Sequence, residues 1–358
     1  LDLSNPNDQR ASLLPAASHP MRPGHWLLPA LLATVAPATA CELCAIYNAT
    51  SARADFGGGF SFAVEEQFTR LGTELLFDKK IIRDTPDYLE TSITHLVPSY
   101  NFSSKFGVSV NIPLVNRSYR WTDLRYHTAA PPEFVTQQAS EFGLGDVALV
   151  GRGTVFARRT MKYHFVVNLL GGIKFPTGDT AHLGDELEQE EIYNQFIPPN
   201  TPHDPLAHSI ASVHQHELSA GSGSYDGIFG VAVNSRWRSW FANAQAQYLL
   251  RTAGAADFQY GDELQISGGP GRYLIATESH SLSLQANAVY STMARDTLAG
   301  KTSDRTGQTA WFLGPQVNVT WSEHFTANLG IDIPLHITAN GFQAVPDYRL
   351  HGGISWRF

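Results

Sequence analysis

The sequence is poor in cysteine, methionine and basic residues, and this composition reduces the number of possible functions. Its 358 residues include two cysteines and three methionines. They contain 25 Lys and Arg against 33 Asp and Glu, which gives a formal net charge of −8. No basic stripe exists to neutralise phosphates, so nucleic acid is excluded as a partner. Beyond residue 40 the chain also lacks an apolar run of the roughly 20 residues that a transmembrane helix needs.

The segment MRPGHWLLPALLATVAPATAC, which begins at Met21, has the layout of a secretory signal peptide. Arg22 precedes an apolar run over 26–36, and Ala38 and Ala40 are the small residues that a signal peptidase requires. We expect residues 1–20 to be over-extended translation, 21–40 the signal peptide, 41–56 a short periplasmic N-terminal segment and 57–358 the folded domain. A soluble exported enzyme and an outer-membrane β-barrel both agree with these features.

Apolar and polar residues alternate with a period of two in the rest of the chain. In HFTANLGIDIPLHI, Phe325 and Leu329 fall on one face, and Thr326 and Asn328 fall on the other. The alternation lasts about ten residues, the length of a strand in an outer-membrane barrel, and a helix does not produce it. The last segment, PDYRLHGGISWRF, alternates in the same way and ends on Phe358.

This alternation predicts an all-β fold, a single transmembrane antiparallel β-barrel of about twelve strands formed by residues 57–358. The predicted strands are 58–69, 91–102, 105–116, 144–157, 162–175, 225–237, 239–251, 262–277, 281–294, 309–321, 324–336 and 346–358. Tight turns alternate with longer loops at 70–90, 117–143, 176–224, 252–261, 295–308 and 337–345, so both termini are expected on the periplasmic side of a Gram-negative outer membrane. Twelve strands enclose a lumen too wide for side chains alone to fill.

The polar face of these strands is dominated by neutral amides. Amides donate and accept hydrogen bonds without a fixed sign, which suits uncharged or weakly polar solutes. The alternative is that they only satisfy one another across a wet or plugged lumen. The predicted lumen-lining residues are Asn168, Asn243, Gln245, Gln247, Gln285, Asn287, Gln316, Asn318, Asn328 and Asp332.

Three segments and the C-terminus carry a resemblance to a known family. GLGDVALVGRGTVF, GGIKFPTGDT and GSGSYDGIFGVAV, followed by ISWRF, resemble the outer-membrane proteins associated with the meta-cleavage pathway of phenol degradation. The resemblance implies a transporter-like barrel for small, aromatic or hydrophobic compounds, with no catalytic residues. The terminal aromatic is similar to the signature of bacterial outer-membrane proteins, which makes Trp356 and Phe358 the membrane-insertion signal for the barrel assembly machinery.

The periplasmic segment contains a Cys-x-x-Cys pair, Cys41 and Cys44, whose role has several interpretations. Ala45 follows Cys44, so the motif for covalent haem attachment is incomplete. A disulfide or redox-labile pair suits the oxidising periplasm, and two thiolates are also partial ligands for Cu or Zn. Lipidation of Cys41 is disfavoured because the usual Leu is missing three residues before it. The segment is a candidate contact for a periplasmic partner or a plug for the lumen.

The loop at 176–224 is unusually rich in histidine and carboxylates. His214 and His216 fall on the same side of an extended segment, a usable pair for Zn(II), Cu(II) or Ni(II). A solvated, mobile loop without metal is the interpretation that we favour. Within it, QFIPPNTPHDP is too rich in proline for a strand and is expected to cover the barrel mouth as an irregular lid.

Three function classes follow from these patterns. We favour a porin-like, non-enzymatic channel or transporter for small, aromatic or hydrophobic solutes, which requires no cofactor. One alternative is a structural or partner-docking barrel linked to periplasmic redox or metal handling through the Cys-x-x-Cys pair. The other is an outer-membrane lipid hydrolase, which needs a Ser and a His within hydrogen-bond reach on the lipid-facing side. His95, His164 and His351 have no inferred outward Ser partner.

If Cys41 and Cys44 form only a local disulfide, Cys41→Ser and Cys44→Ser should each leave folding and transport nearly unchanged. Closing so short a loop constrains few unfolded conformations. Solute uptake and the yield of folded barrel measure this. Co-purified Cu or Zn in the wild-type protein that disappears in both serine variants and persists after His214 and His216 are replaced would instead assign the metal to the cysteines.

Overall fold

A computed structural model describes residues 58–160, 162–198, 201–322 and 324–358. The interpretations of 1–20, of the signal peptide 21–40 and of the segment 41–56 with Cys41 and Cys44 therefore lie outside the described residues. Within the described part of the chain, no helix combines the length and the apolar composition that crossing a membrane takes.

The described residues form seventeen strands, twelve of which build a closed antiparallel barrel. In chain order they are β1 (Gly59–Leu76), β2 (Lys79–Ile81), β3 (Tyr88–Asn101), β4 (Phe106–Arg125), β5 (Glu133–Leu144), β6 (Ala148–Arg159), β7 (Tyr163–Lys174), β8 (Asp226–Trp237), β9 (Trp240–Leu250), β10 (Phe258–Gln259), β11 (Glu263–Ala276), β12 (His280–Met293), β13 (Thr297–Leu298), β14 (Lys301–Thr302), β15 (Gln308–Trp321), β16 (Phe325–Ala339) and β17 (Phe342–Arg357). All except β2, β5, β10, β13 and β14 belong to the barrel wall, in the order of the chain. The wall closes where β17 pairs with β1, for example Trp356 with Phe62. The predicted all-β, twelve-strand barrel is confirmed.

The wall is apolar outside and polar inside, the reverse of a soluble protein. Along β12, Leu284 is exposed, whereas its polar neighbours Ser283 and Gln285 are buried. Such an outward apolar band is what a barrel in a bilayer presents to lipid. Its members on other strands are exposed to between 43% and 67%: Leu149, Leu169, Phe229, Leu329, Ile333 and Ile354.

The two ends of the barrel differ. At the turn end lie the first and last residues of the wall, Gly59 and Arg357, together with short connections such as 102–105 and 238–239. Exposed aromatic residues ring this end, as in the girdles of outer-membrane barrels: Phe60, Tyr100, Phe102, Phe106, Phe156, Trp237, Trp240, Trp321, Trp356 and Phe358. The opposite, loop end carries the long connections.

Two predicted loops at the loop end are wrong. The range 117–143 is largely a hairpin, because β4 continues to Arg125 and β5 pairs back along it. No residue of β5 is buried, so its sequence shows no apolar alternation that would predict a strand. The range 337–345 is a tight hairpin that turns at Asn340 and Gly341. Gly341 has φ +64°, and a Cβ there would lie 2.6 Å from the Cα of Arg305, so glycine is required.

The C-terminal aromatic residue closes the turn end. The backbone N–H of Phe358 donates to the carbonyl of Phe60 at 3.0 Å, and the two rings lie 5.5 Å apart on the outer surface. Phe358 thus completes the junction of β17 with β1 while its side chain remains 70% exposed.

We expect Phe358→Ser to lower the amount of heat-modifiable barrel in the membrane severalfold without reducing synthesis or export. The exposed ring contributes little buried core, so the loss concerns insertion and closure of the wall rather than packing. Electrophoretic mobility of heated and unheated membranes measures it. Phe134→Ser, at a residue 72% exposed on β5 outside the wall, is the matched control. Equal levels of both variants would contradict the assignment of the terminal aromatic.

Candidate functional site

The loop end of the lumen is filled by the connection between β7 and β8. This plug comprises residues 175–225 and contains the helix α1 (Ala181–Asn194) and a 3₁₀ turn (Gln215–Leu218). Its extended part, residues 204–222, is called the strap here. Ala211, Val213 and Leu218 of the strap pack against inward-facing residues of the wall, Leu71, Leu89, Tyr119, Trp121 and Ala344. The strap therefore shares one apolar core with the barrel interior.

Hydrogen bonds to charged residues of the wall fix the strap. Asp123 accepts from the Ser209 hydroxyl and the Ile210 N–H, both at 2.7 Å. Ser212 donates to Glu74 at 2.8 Å, and its carbonyl accepts from the N–H of Ala344 at 2.7 Å. The strap thus bridges β1, β4 and β17 across the lumen.

Both ends of the plug meet at one buried ion cluster. Lys174 lies 2.8 Å from Asp146 and 2.9 Å from Asp226, and all three side chains are at most 4% exposed. Asp146 also accepts from the Ser222 N–H at 2.9 Å. Beside the cluster the chain entering the plug crosses the chain leaving it. A Cβ at Gly178 would lie 2.6 Å from the Cα of Gly221, so neither position tolerates a side chain.

The expectation of a solvated loop is wrong for the histidines of the plug that face the barrel. His208, His214 and His216 are each 3% exposed. The Pro-rich stretch over 195–205 contains no strand in its described residues, and Phe196 within it is 51% exposed. Polar burial of this kind leaves no periodic pattern in a sequence, which is why the plug was missed.

Helix α1 and the strap together form a buried cluster of imidazoles and carboxylates. Glu186 of α1 lies 2.9 Å from Nε2 of His208 and 3.5 Å from Nδ1 of His216. Nε2 of His216 is 3.6 Å from Asp296, in the connection between β12 and β15. Nε2 of His214 is 3.3 Å from the carbonyl oxygen of Phe342. The cluster joins three separate parts of the loop end.

Burial and pairing shift these groups in opposite directions. Burial lowers the pKa of His214 to about 4, so its imidazole is neutral. For His208 burial also acts downward, but hydrogen bonds to Glu186 and Glu190 outweigh it and raise the pKa to about 10. Burial acts to raise the pKa of Glu186, yet its bonds to His208 and His216 hold that pKa well below the usual range. For His216, too, burial acts downward, but the bond to Glu186 outweighs it and raises the pKa.

A cavity of about 200 Å³ lies between the strap and the wall. Apolar side chains from four strands form part of its lining: Leu71, Leu89, Met293, Ala310 and Phe312. Its charged lining residues have partners, since Arg251 lies 3.3 Å from Glu263 and Arg349 lies 3.6 Å from Asp332. Arg349 also stacks over the ring of Phe312 at 3.7 Å. The cavity is consequently mixed in polarity, with its charges balanced.

The predicted lumen-lining amides lie on the concave face of the wall. Several hydrogen bonds pass over an intervening strand, which requires side chains that point inward. Gln285 of β12 donates to Asn243 of β9 at 2.6 Å, and Asn287 of β12 reaches Asp332 of β16 at 3.4 Å. Of the remaining predicted residues, three are buried, namely Asn168, Gln245 and Gln247. The other three are half-buried and lie towards the turn end: Gln316, Asn318 and Asn328.

Sequence reasoning missed most of the charged residues inside the barrel. Glu65 is 2% exposed and accepts from Asn328 at 3.4 Å, and Arg152 donates to Asn101 at 2.8 Å. Period-two alternation from the buried Ala63 puts Glu65 on the inner face, so the pattern is sufficient to predict this residue. It is not sufficient to predict the burial of Glu186 or of the Lys174 cluster, because the folding of the plug creates their environment.

Comparison with solved structures identifies the fold. The COG4313 outer membrane channel from Pseudomonas putida superposes with a TM-score of 0.53 at 11% identity, over 85% of this chain and 96% of that one. The transport unit of the autotransporter AIDA-I from Escherichia coli gives 0.41 at 7% identity, over 84% and 90%. A Pseudomonas aeruginosa FadL homologue gives 0.38 at 7% identity, over 86% and 92%. No protein-family model and no curated protein sequence matches the chain. The first likeness shows that the chain has the fold of an outer-membrane barrel.

We expect Asp123→Ala to release the strap while the barrel stays closed. The substitution removes the two hydrogen bonds from the strap to this carboxylate, each worth about 1.5–3 kcal/mol, and leaves the buried Ser209 hydroxyl and the Ile210 N–H without this acceptor. Limited proteolysis of the folded protein should then cut within 204–222 at least tenfold faster. Asp304→Ala is the control, because the Asp304 side chain is 79% exposed in a surface ion pair with Arg295. Equal resistance of the two variants would contradict the anchoring role of Asp123.

Proposed function

We propose that the protein is an outer-membrane channel or transporter for small, uncharged or weakly polar aromatic or hydrophobic solutes. The observation that carries the proposal is the cavity of about 200 Å³ lined by the strap and the inner wall of a closed barrel. A lipid-facing wall around a lumen that holds a small binding cavity has the construction of a selective pore rather than of a general porin. Transport then requires the strap to move.

The size and lining of the cavity support this solute class. An apolar protein cavity of about 150 Å³ accommodates benzene, so a single aromatic ring fits the available volume. Leu71, Leu89 and Phe312 offer apolar contacts, while Arg251 and Arg349 are paired with carboxylates. A site with balanced charges favours neither anions nor cations. The resemblance of three segments to the phenol-pathway family, and the channel named among proteins of similar fold, point in the same direction.

We infer that the amides line the remainder of the solute path towards the turn end. Asn243, Gln285 and Gln316 present both donors and acceptors there, and passing solutes can exchange hydrogen bonds with them. With the turn end in the periplasm, both termini lie on that side. In this proposal Trp356 and Phe358 serve the barrel assembly machinery, and the segment 41–56 meets a periplasmic partner.

The alternative functions have less support. A phospholipase-type enzyme needs its histidine on the lipid-facing side, but His95 and His351 are buried on the inner face. His95 bonds to Asn111 at 2.9 Å rather than to a serine. A docking barrel linked to redox or metal handling depends on Cys41 and Cys44 and explains neither the cavity nor the strap.

We expect Ala310→Trp to abolish most of the channel-dependent uptake. Ala310 is 4% exposed and lines the cavity, so an indole there fills the space that a solute needs. Uptake of labelled phenol by a deletion strain that carries each variant in its outer membrane measures the effect. Leu313→Trp, three residues along the same strand but on the lipid-facing side with 44% exposure, should retain wild-type uptake.

The yield of heat-modifiable barrel confirms that both tryptophan variants fold. Equal uptake by the two folded variants would exclude the cavity from the solute path. A wild-type protein that neither raises phenol uptake above the deletion strain nor conducts ions in a planar bilayer would overturn the channel proposal as a whole.

A further inference from the structure

Three metal-binding side chains converge where helix α1 meets the strap. Glu186, His214 and His216 each offer one ligand atom, and these atoms all lie within 4.8 Å of one another. Glu186 is 1% exposed and the two histidines are each 3% exposed. The residues are far from the outer surface, so the grouping is not a chance arrangement of solvated side chains.

Two buried imidazole nitrogen atoms belong to this group. Nδ1 of His214 makes no hydrogen bond among the described residues, and Nδ1 of His216 lies 3.5 Å from Oε2 of Glu186. A buried polar atom without a partner costs about 1–3 kcal/mol, so folded proteins rarely leave one. A bound cation would provide the His214 nitrogen with a partner and would be shared with His216 and Glu186.

The remaining polar atoms of the three residues are already held in the manner of metal ligands. Nε2 of His214 faces the carbonyl of Phe342 at 3.3 Å, and Nε2 of His216 faces Asp296 at 3.6 Å. Oε1 of Glu186 is 2.9 Å from Nε2 of His208, while Oε2 accepts from the His216 N–H at 3.1 Å. Metal-binding histidines typically donate their other ring N–H to a carbonyl or carboxylate, which fixes the tautomer and the ring orientation.

We propose that Glu186, His214 and His216 form a binding site for a divalent transition-metal ion, of which Zn²⁺ is the representative. Two imidazoles and one carboxylate are a ligand set for such ions, whereas Mg²⁺ and Ca²⁺ prefer oxygen alone. Ligand atoms on one Zn²⁺ lie roughly 3.3 Å apart at bond lengths near 2.0–2.1 Å, so binding draws the three residues closer together.

The site has a structural consequence for the plug. Glu186 belongs to α1, and the two histidines belong to the strap, so the ion cross-links the two parts of the plug. His214 and His216 also line the cavity, which leaves one side of the ion facing it. A water or a solute oxygen can complete the coordination there. Metal therefore stabilises the closed arrangement of the strap at the solute cavity.

The test uses the full mature chain, folded in detergent without a histidine tag and with Cys41→Ser and Cys44→Ser to exclude the thiols. After chelation and dialysis, Zn²⁺ is titrated by calorimetry, and Co²⁺ absorption reports the ligand type. We expect one Zn²⁺ per chain, with nitrogen and oxygen ligation, and no displacement by excess Mg²⁺. Zn²⁺ should also slow proteolysis of the strap.

Glu186→Gln, His214→Ala and His216→Ala should each weaken Zn²⁺ binding by more than the roughly 10- to 100-fold typical of substitutions among hydrogen-bond partners of ligands. His182→Ala is the matched control: His182 lies on the same helix, but its imidazole pairs with Glu141 at 2.8 Å and is not one of the three grouped ligands, so this variant should retain wild-type affinity. Heat-modifiability verifies that each variant is folded.

Absence of saturable binding in the folded wild type, or equal affinity in all four variants, would overturn the site. Because the readout is binding, either result is independent of whether the barrel transports phenol.

Discussion

The arrangement of the loop end depends on one buried cation, Lys174, held between Asp146 and Asp226. Burying a charge is costly unless it is paired and hydrogen-bonded, and removing one partner of such a group typically costs several kcal/mol. Asp146 lies two residues before β6, Lys174 ends β7 and Asp226 begins β8, so their pairing fixes where the wall stops and the plug begins. The segments GLGD, IKFPTGD and GSGSYDG, which stand far apart in the sequence, meet here. Their glycines and aspartates lie at the ends of strands, and together they form this ion cluster and the crossing of Gly178 with Gly221 beside it.

The wall was predictable because lipid imposes a simple rule on every strand. One face must be apolar for its whole length, so residues such as Leu313 and Leu329 alternate with polar neighbours, and the pattern reports the strand directly. Twelve strands, their order and most of their boundaries near the turn end follow from it. Strands can no longer be predicted at the loop end, beyond the apolar band, because no apolar face is required there. No residue of β5 is buried, and the turn at Asn340 and Gly341 interrupts no pattern, so neither hairpin was separated correctly from a loop.

The plug was unpredictable for a different reason. Its burial is achieved by specific pairs such as Ser209 with Asp123 and His208 with Glu186, which join residues 86 and 22 positions apart. Such pairs leave no period, and a loop rich in His, Glu and Pro has the same composition whether it is solvated or packed. The sequence did single out His214 and His216 as neighbours on an extended segment. It could not identify Glu186 as the third residue, since only the packing of α1 against the strap brings it there.

The crossing of Gly178 and Gly221 makes the hydrogen bonding of the wall independent of the plug. Because the chain leaves and re-enters the wall at almost the same place, the hydrogen-bonded ladder of β7 with β8 is complete without anything that lies between them. A segment whose ends adjoin can be lengthened, shortened or exchanged with little effect on its host, as inserted domains are. Changes within the plug can therefore alter selectivity or control without interrupting the wall, as long as the contacts of the strap with Glu74 and Asp123 are kept.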